Sequence, residues 1–233
     1  DHAHYKTPLN GANTGRGVSI GYWPNFGGEA SATVSVRADG KVSLSEGSPD
    51  IGGTRASISM QVAEVLGLKA EDVIPTVVDT DSIGYTETTD GSRTTFSTGI
   101  AAMEAAKDAV QQMIERAAEI WEVDGDSIEF VKGLFRSKAD PELKMGFKEL
   151  AGQLAATGGR VLGSAALHSR GSGGAFCGNI VDLEVDPETG KVTILRYTAF
   201  QDAGKAIHPS YVEGQMQGGT VQGIGWGLNE EYY

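Results

Sequence analysis

Residues 89 to 99 read TDGSRTTFSTG, where Gly91 and Gly99 bracket five hydroxyl side chains, Ser92, Thr94, Thr95, Ser97 and Thr98, with Arg93 among them. One hydroxyl is enough to cap a helix, so five at the entrance of a long alanine-rich helical pattern point to a second use. Two other segments share the design of a small polar turn that opens onto a helix or lies within one. They are Gly52-Gly53-Thr54 and the run Gln215-Met216-Gln217-Gly218-Gly219, with Gln222 behind it. Helix N-termini present unpaired N–H groups at the positive end of the macrodipole, and glycine turns form nests of amides. Such segments therefore suit a phosphate or a polar heterocycle. Each one alone reads as a cap, whereas three together suit a single elongated ligand.

Other chemistry is poorly served. No segment matches the GxxxxGK[ST] phosphate loop, and GGAFCG and GIGWG lack the strand–turn–helix setting of a dinucleotide fingerprint. His2, His4, His168 and His208 are scattered, with no HExxH pair, and no GxSxG elbow marks a hydrolase. Cys177 is the only cysteine, which excludes a disulfide framework and a cysteine set for an iron–sulfur cluster, and fits a reducing, cytoplasmic setting. It reads as a small core residue, Asp202 as part of a turn, and Tyr22, Trp23 and Phe26 as strand packing or the lining of a pocket. With 31 acidic against 19 basic residues, the net charge of −12 opposes nucleic acid and anionic membrane surfaces as partners. No apolar run approaches the roughly 20 residues of a membrane span.

The elements that must position these segments follow from periodicity. Ala32, Val34 and Val36 alternate against Val42 and Leu44 across Asp39-Gly40, which predicts a hairpin. Ile58, Val62, Val65 and Leu66 fall at helical spacing and predict a helix over 54–66 closed by Gly67. VIPTVVDT (73–80) is a β-rich run, and Met103, Val110, Met113, Ile114, Ala117, Ile120 and Trp121 form the apolar stripe of a second, long helix. Further on, DSIEFVKGLFRS predicts a short hairpin, MGFKELAGQLAATGG an amphipathic helix, and RVLGSAALHS an extended piece. Val181, Leu183 and Val185 against Val192 and Ile194 predict a strong hairpin, followed by a helix with Ser210 as its N-cap. The glycines 218, 219, 223, 225 and 227 inside that helix imply a close neighbour.

VRADGKVSLSEGSPDIG and VDPETGKVTILRYTAFQDAG echo one another: strand, turn ending in Gly-Lys-Val, strand, then Asp-x-Gly before a helix. The expected class is α+β, two related hairpin-plus-helix units with mixed sheets and packed helices. The expected layout is an extended lead-in over 1–15 and a domain over 16–233, divided into subdomains near 16–130 and 131–233.

The ordered series DGKVSLSEGSPDIGGTRASISMQVAEVLG, TDGSRTTFSTGIAAMEAA and GNIVDLEVDPETGKVTILRYTAFQDAGKAIHPSYVEGQMQGGTVQGIGWGLNEE resembles the second molybdopterin-binding domain of the xanthine dehydrogenase and aldehyde oxidase family, from about residue 16 to the end. The resemblance implies part of a large molybdenum-binding subunit that hydroxylates an aldehyde or N-heterocycle with water as the oxygen source. It implies molybdopterin with molybdenum, as the cytosine dinucleotide, contacted by Gly52, Gly53, Thr54, Gly91, Ser92, Arg93, Thr94, Thr95 and Gln215. Tyr22 and Trp23 lie near the family's substrate-pocket residues.

Two departures stand out. Gly53 occupies the position where the family usually has a glutamine whose amide reaches the molybdenum end. The family's catalytic glutamate, in a Gly-Glu-Pro-like segment, is expected beyond Tyr233, so no residue of this chain is assigned as the base. The other molybdopterin-binding domains, the iron–sulfur subunit and the FAD subunit are expected as partners, and the chain alone is expected to be inactive. Alternatives drawn from the residues alone are a stand-alone anion- or nucleotide-binding module, or an assembly chain whose glycine-faced helix packs on a partner.

Overall fold

A computed structural model describes residues 9–171, 174–231 and 233. His2, His4 and the first half of the expected lead-in lie outside the described residues. The described residues divide into two compact units, one running from Asn25 to Gly171 and the other formed by residues 9–24 together with 174–231 and 233. The expected cut near 130 instead falls inside β5 (Ile128–Val131). The reason lies in strand pairing: β1 (Thr14–Trp23) hydrogen-bonds along its length to β9 (Ala175–Val185), which brings the two ends of the sequence into one unit.

In the larger unit, β2 (Gly28–Val36) and β3 (Val42–Glu46) form the expected hairpin, in register from Ala32↔Glu46 to Val36↔Val42. The turn holds Gly40 at φ 77°, and a Cβ there would meet the Lys148 backbone at 2.9 Å, so only glycine fits. α1 (Thr54–Leu66) carries the chain back, and β4 (Val73–Val77) pairs parallel to β3. β8 (Val161–Ser169) completes a mixed sheet of order β4-β3-β2-β8. A short turn of helix, α2 (Thr80–Ile83), is capped by Asp79.

α3 (Thr94–Trp121) is 28 residues long and packs on this sheet; Met113 and Ala117 of the predicted stripe are buried and Val110, Ile114, Ile120 and Trp121 pack half-buried against the core, but its most buried face also takes in a row of alanines that the prediction did not name. Ala101, Ala102, Ala105, Ala106, Ala109, Met113 and Ala117 are buried, while Met103 is only half-buried. The cause is close approach: a Cβ on Gly163 of β8 would lie 2.0 Å from the Ala105 carbonyl oxygen, so alanines suit this face where larger apolar residues do not. β5, β6 (Leu134–Ser137) and β7 (Lys144–Gly146) make a small antiparallel meander, with Lys132 and Gly133 both left-handed in the tight turn. The helix expected up to Gly158 is shorter, comprising α4 (Phe147–Ala151) and one 3₁₀ turn over Leu154–Ala156.

The smaller unit is a three-stranded antiparallel sheet of order β1-β9-β10, with β10 spanning Val192–Gln201, and the helix α5 (Pro209–Leu228). Arg16 and Asp182, directly opposite on β1 and β9, form a two-pronged ion pair at 2.6 and 2.9 Å. The helix begins at Pro209 with His208 as the cap residue, so Ser210, predicted as the cap, sits inside the first turn, with its hydroxyl 3.2 Å from His208 Nδ1. The pyrrolidine ring accounts for this, since proline is preset for the first helical position. Both hairpin-plus-helix units predicted from the sequence echo are present, as β2-β3-α1 and β9-β10-α5. Among the described residues, the buried apolar side chains of the core all lie in the larger unit, between Ala30 and Val161.

Candidate functional site

Two of the three predicted segments sit at one end of the sheet in the larger unit. The residues around them mark that end: Glu46 closes β3, Gly28 opens β2, and Ser169 ends β8 opposite Gly28. Both α1 and α3 start here. Ser48 Oγ lies 2.8 Å from Thr98 Oγ1, Ser97 Oγ lies 2.7 Å from Ser169 Oγ, and Gln61 Nε2 donates to the Thr95 carbonyl at 3.1 Å. Because the seventh residue beyond Thr54 meets the first beyond Thr94, α1 projects about 9 Å further than α3 at 1.5 Å per residue. The two N-termini form a stepped ledge.

The five hydroxyls divide by task. Ser97 and Thr98 are buried within the first two turns of the helix and stitch α3 to β8 and to the turn after β3. Ser92 is exposed, Thr95 is half-buried, and Thr94 is buried with no partner for its Oγ1. Neither helix carries an N-cap side-chain bond or an acid in its first turn. The single aid is Asp50, whose Oδ1 accepts from the Arg55 amide at 3.1 Å while its Oδ2 pairs with the Arg55 guanidinium.

The backbones of the two turns match. Gly52 and Gly53 are at φ 65° and 76°, and Gly91 and Ser92 at 54° and 59°, so a pair of left-handed residues precedes each helix, directly before α1 and one residue earlier before α3, where right-handed Arg93 is the cap residue. Ser92 pays the Cβ penalty of that conformation, and its carbonyl accepts from Asn25 Nδ2 at 2.9 Å. At Gly91 a Cβ would lie 2.0 Å from the Phe26 ring. Left-handed geometry also bears on Gly53: a glutamine there would carry its side chain on a strained backbone.

Arg93 departs from the expected ligand-facing role. Its side chain is 2 % exposed and turned inward, Nε donating to the Gly27 carbonyl at 2.6 Å, Nη1 to Glu87 at 2.9 Å and Nη2 to the Glu29 carbonyl. A guanidinium has a rigid fork of donors and no acceptor. Here the fork knits the 84–93 loop to the start of β2, joined by Ser31 Oγ donating to the Tyr85 carbonyl and the Glu29 amide to Glu87 Oε2. Burial lowers the Arg93 pKa from its ordinary value, opposed by the charges of Glu87 and Asp90.

Gln215, Tyr22 and Trp23 belong to the smaller unit. Gln215 is exposed on α5, in the second turn of the helix. Tyr22 and Trp23 end β1 and are 57 % and 53 % exposed, with the Tyr22 ring 5.0 Å from that of Phe176. Cβ atoms built on Gly218, Gly219, Gly223 and Gly227 meet nothing within 4 Å, and one on Gly225 meets only the Glu230 side chain just beyond the helix, so the close neighbour implied by these glycines is not found among the described residues except at Gly225. Asp202 behaves as predicted, its Oδ1 accepting from the Gly204 amide in a turn. No group of three or more His, Cys, Asp or Glu side chains able to hold a metal exists among the described residues.

The sequence reading missed Glu46. It is 1 % exposed, its Oε2 accepts from the Ser48 amide at 2.6 Å, and its Oε1 has no partner. Burial pushes its pKa up to about 7. The signal was present as a glutamate in phase with Val42 and Leu44, on the buried face of β3. With Gln61 Oε1, Thr89 Oγ1 and Thr94 Oγ1, it makes up the set of buried side-chain polar atoms without partners among the described residues. Glu46, Gln61 and Thr94 lie at the ledge, and Thr89 is in the loop that leads into α3. Buried polar groups in folded chains are nearly always hydrogen-bonded, so these four atoms stand out.

Comparisons with known proteins place the chain in one family. A sequence profile of the molybdopterin cofactor-binding domain matches residues 3–233. The chain is 30% identical over 215 residues to a putative xanthine dehydrogenase molybdenum-binding subunit of Escherichia coli (strain K12), covering 90% of this chain and 29% of that protein. It is 31% identical to the carbon monoxide dehydrogenase large chain of Afipia carboxidovorans, covering 86% and 26%. The crystal structure of quinoline 2-oxidoreductase from Pseudomonas putida 86 superposes with a TM-score of 0.77 at 25% identity, over 91% of this chain and 30% of that one. The chain thus spans under a third of the relatives' length, and it belongs to the molybdopterin cofactor-binding domain family.

Proposed function

We propose that the ledge of the larger unit holds molybdopterin, and that the chain serves as the cofactor-binding portion of a molybdenum hydroxylase. The carrying observation is the concentration of unpartnered buried polar atoms beside two helix N-termini that lack side-chain caps. This donor set fits a flat, polar, phosphate-bearing group: amides at the positive ends of α1 and α3, and the hydroxyls of Ser92, Thr94 and Thr95. Gly52, Gly53 and Gly91 let backbone approach the ligand without a Cβ. Arg93 holds the second wall from behind. Gln215 carries a cofactor-binding assignment from the family resemblance alone, and Tyr22 and Trp23 a substrate-pocket assignment on the same ground.

When bound, the cofactor supplies the two-electron redox chemistry of hydroxylation, with water as the oxygen source and an aldehyde or N-heterocycle as substrate. The chain's own residues bind and orient it. The cytosine dinucleotide form, a cytoplasmic setting, and partnership with further molybdopterin-binding domains, an iron–sulfur subunit and an FAD subunit belong to the same reading. Exposed apolar residues of the smaller unit support that partnership: Val18, Ile20, Phe176, Leu195, Val221 and Leu228 are 46 to 90 % exposed.

Thr94→Val tests the cofactor assignment directly. In this chain the Thr94 hydroxyl is buried and unpartnered, so its removal is expected to leave stability unchanged or slightly raised. In the full-length protein the same change is expected to lower molybdenum and pterin content per polypeptide. Unchanged content in the folded full-length variant rejects Thr94 as a ligand, and a full-length protein without molybdenum rejects the reading as a whole.

A further inference from the structure

Four segments meet at residues 46 to 48. The Glu46 carboxyl accepts from the Ser48 amide at 2.6 Å, Ser48 Oγ lies 2.8 Å from Thr98 Oγ1 of α3, and the Glu46 carbonyl accepts from the Val78 amide at 3.0 Å. A Cβ on Gly47 would sit 3.0 to 3.1 Å from Thr80 and Thr86 side chains. The chain leaving this junction runs straight into Gly52-Gly53-Thr54, and the helix receiving it begins with Thr94 and Thr95. We propose that Glu46 is a positioning residue for the cofactor site: its carboxyl, acting through Ser48 and Thr98 and only as the neutral acid, locks the Gly52-Gly53-Thr54 turn against the first turns of α3.

The restriction to the neutral acid follows from the surroundings. An ionised carboxylate buried to this depth needs donors on both oxygens, and Oε1 has none. The charged groups acting on it are Arg55 of α1 and Asp50 of the preceding turn, and these two are paired with each other at 3.0 Å. α3 and the 80–86 segment bring the hydroxyls of Thr98, Thr80 and Thr86 to this junction. Desolvation therefore dominates and favours the protonated form up to about pH 7. Above that, the charge draws in water, the link through Ser48 loosens, and the two walls lose their fixed spacing. The inference rests on the reading that both walls hold the cofactor.

The test uses full-length holoprotein, with molybdenum retention after dilution followed from about pH 6 to about pH 8.5. Wild type is expected to lose molybdenum progressively faster above its midpoint, approaching tenfold per pH unit. Glu46→Gln, which keeps the acceptor for the Ser48 amide and cannot ionise, is expected to flatten that profile, while Glu46→Ala is expected to retain severalfold less metal than wild type at about pH 6, with the difference closing as pH rises past about 7. A Glu46→Gln profile as steep as wild type overturns the inference, as does full retention by Glu46→Ala. Wild-type holoprotein that retains molybdenum while these variants fail the test leaves the cofactor reading standing. Absence of molybdenum from the wild type itself overturns both.

Discussion

Arg93 shows how a residue type suited to anions is committed elsewhere by its surroundings. Three backbone carbonyls from two segments converge on one guanidinium that solvent does not reach. Arg93→Ala leaves those acceptors unpaired, and the expected cost is roughly 3 kcal/mol or more, read from the denaturant midpoint of the folded protein. Arg93→Lys is expected to recover only part, because a point charge cannot serve three divergent acceptors. Any fall in molybdenum content in Arg93→Ala is thus expected to accompany a stability loss, in contrast to Thr94→Val. Gly53 makes the complementary case. Its φ of 76° means that Gly53→Gln, the family's usual residue, is expected to cost about 1 kcal/mol, and an unchanged unfolding midpoint would count against the left-handed turn.

At the scale of elements, the α3–β8 contact is the tightest constraint on the site, because α3 carries one of its walls. A Cβ on Gly163 would lie 2.0 Å from the Ala105 carbonyl oxygen and 2.5 Å from the Ala109 nitrogen, both helix backbone. Neither can rotate away. Gly163→Ala is expected to destabilise by about 1–3 kcal/mol or more as the helix lifts from the sheet, measured by thermal or denaturant unfolding. Gly219→Ala in α5 is the control, since nothing lies within 4 Å of its Cβ. That change is expected to stabilise by roughly 0.5–1 kcal/mol through helix propensity alone. A loss of stability there would reveal a neighbour that the described residues do not supply.

At the scale of the molecule, charge and core are unevenly distributed. Hydrogen bonds from Lys148 to Asp72, from Ser82 to Asp79 and from Thr189 to Asp186 hold these carboxyls below their ordinary range. Their contribution is present above the unfolded-state pKa and lost as pH falls through the lowered one. Glu46 runs the other way: its contribution is complete below its ordinary 4.5 and is lost as pH rises through about 7, a change of roughly 3 kcal/mol between those limits. Stability is therefore expected to peak on the mildly acidic side, with Glu46→Gln removing the decline toward alkaline pH in a series of unfolding midpoints. Among the described residues, the buried apolar side chains of the core all fall between Ala30 and Val161, so amides of β2 and α3 are expected to exchange hydrogen more slowly than those of β1, β9 and α5. Equal protection would contradict this partition.

Period-two alternation on either side of Asp39-Gly40 and helical spacing over 54–66 determined β2, β3 and α1 in advance, because those patterns depend only on which face is buried. Tandem glycines and clustered hydroxyls likewise marked both turns that enter helices at the ledge. Tertiary structure alone decided what each of those side chains does. Arg93 and Ser97 look like ligand-facing or capping groups until β2 and β8 arrive beside them, since hydrogen-bond partners 60 or more residues away leave no local trace. The alanine face of α3 escaped for the same reason: Met103 is the more hydrophobic residue, but the separation set by Gly163 admits only a methyl group. Glu46, placed in the apolar phase of β3, was visible as an anomaly, and its environment became apparent only once Ser48, Thr98 and Arg55 were folded around it. Protonation is set by desolvation, and desolvation is a property of the packed chain.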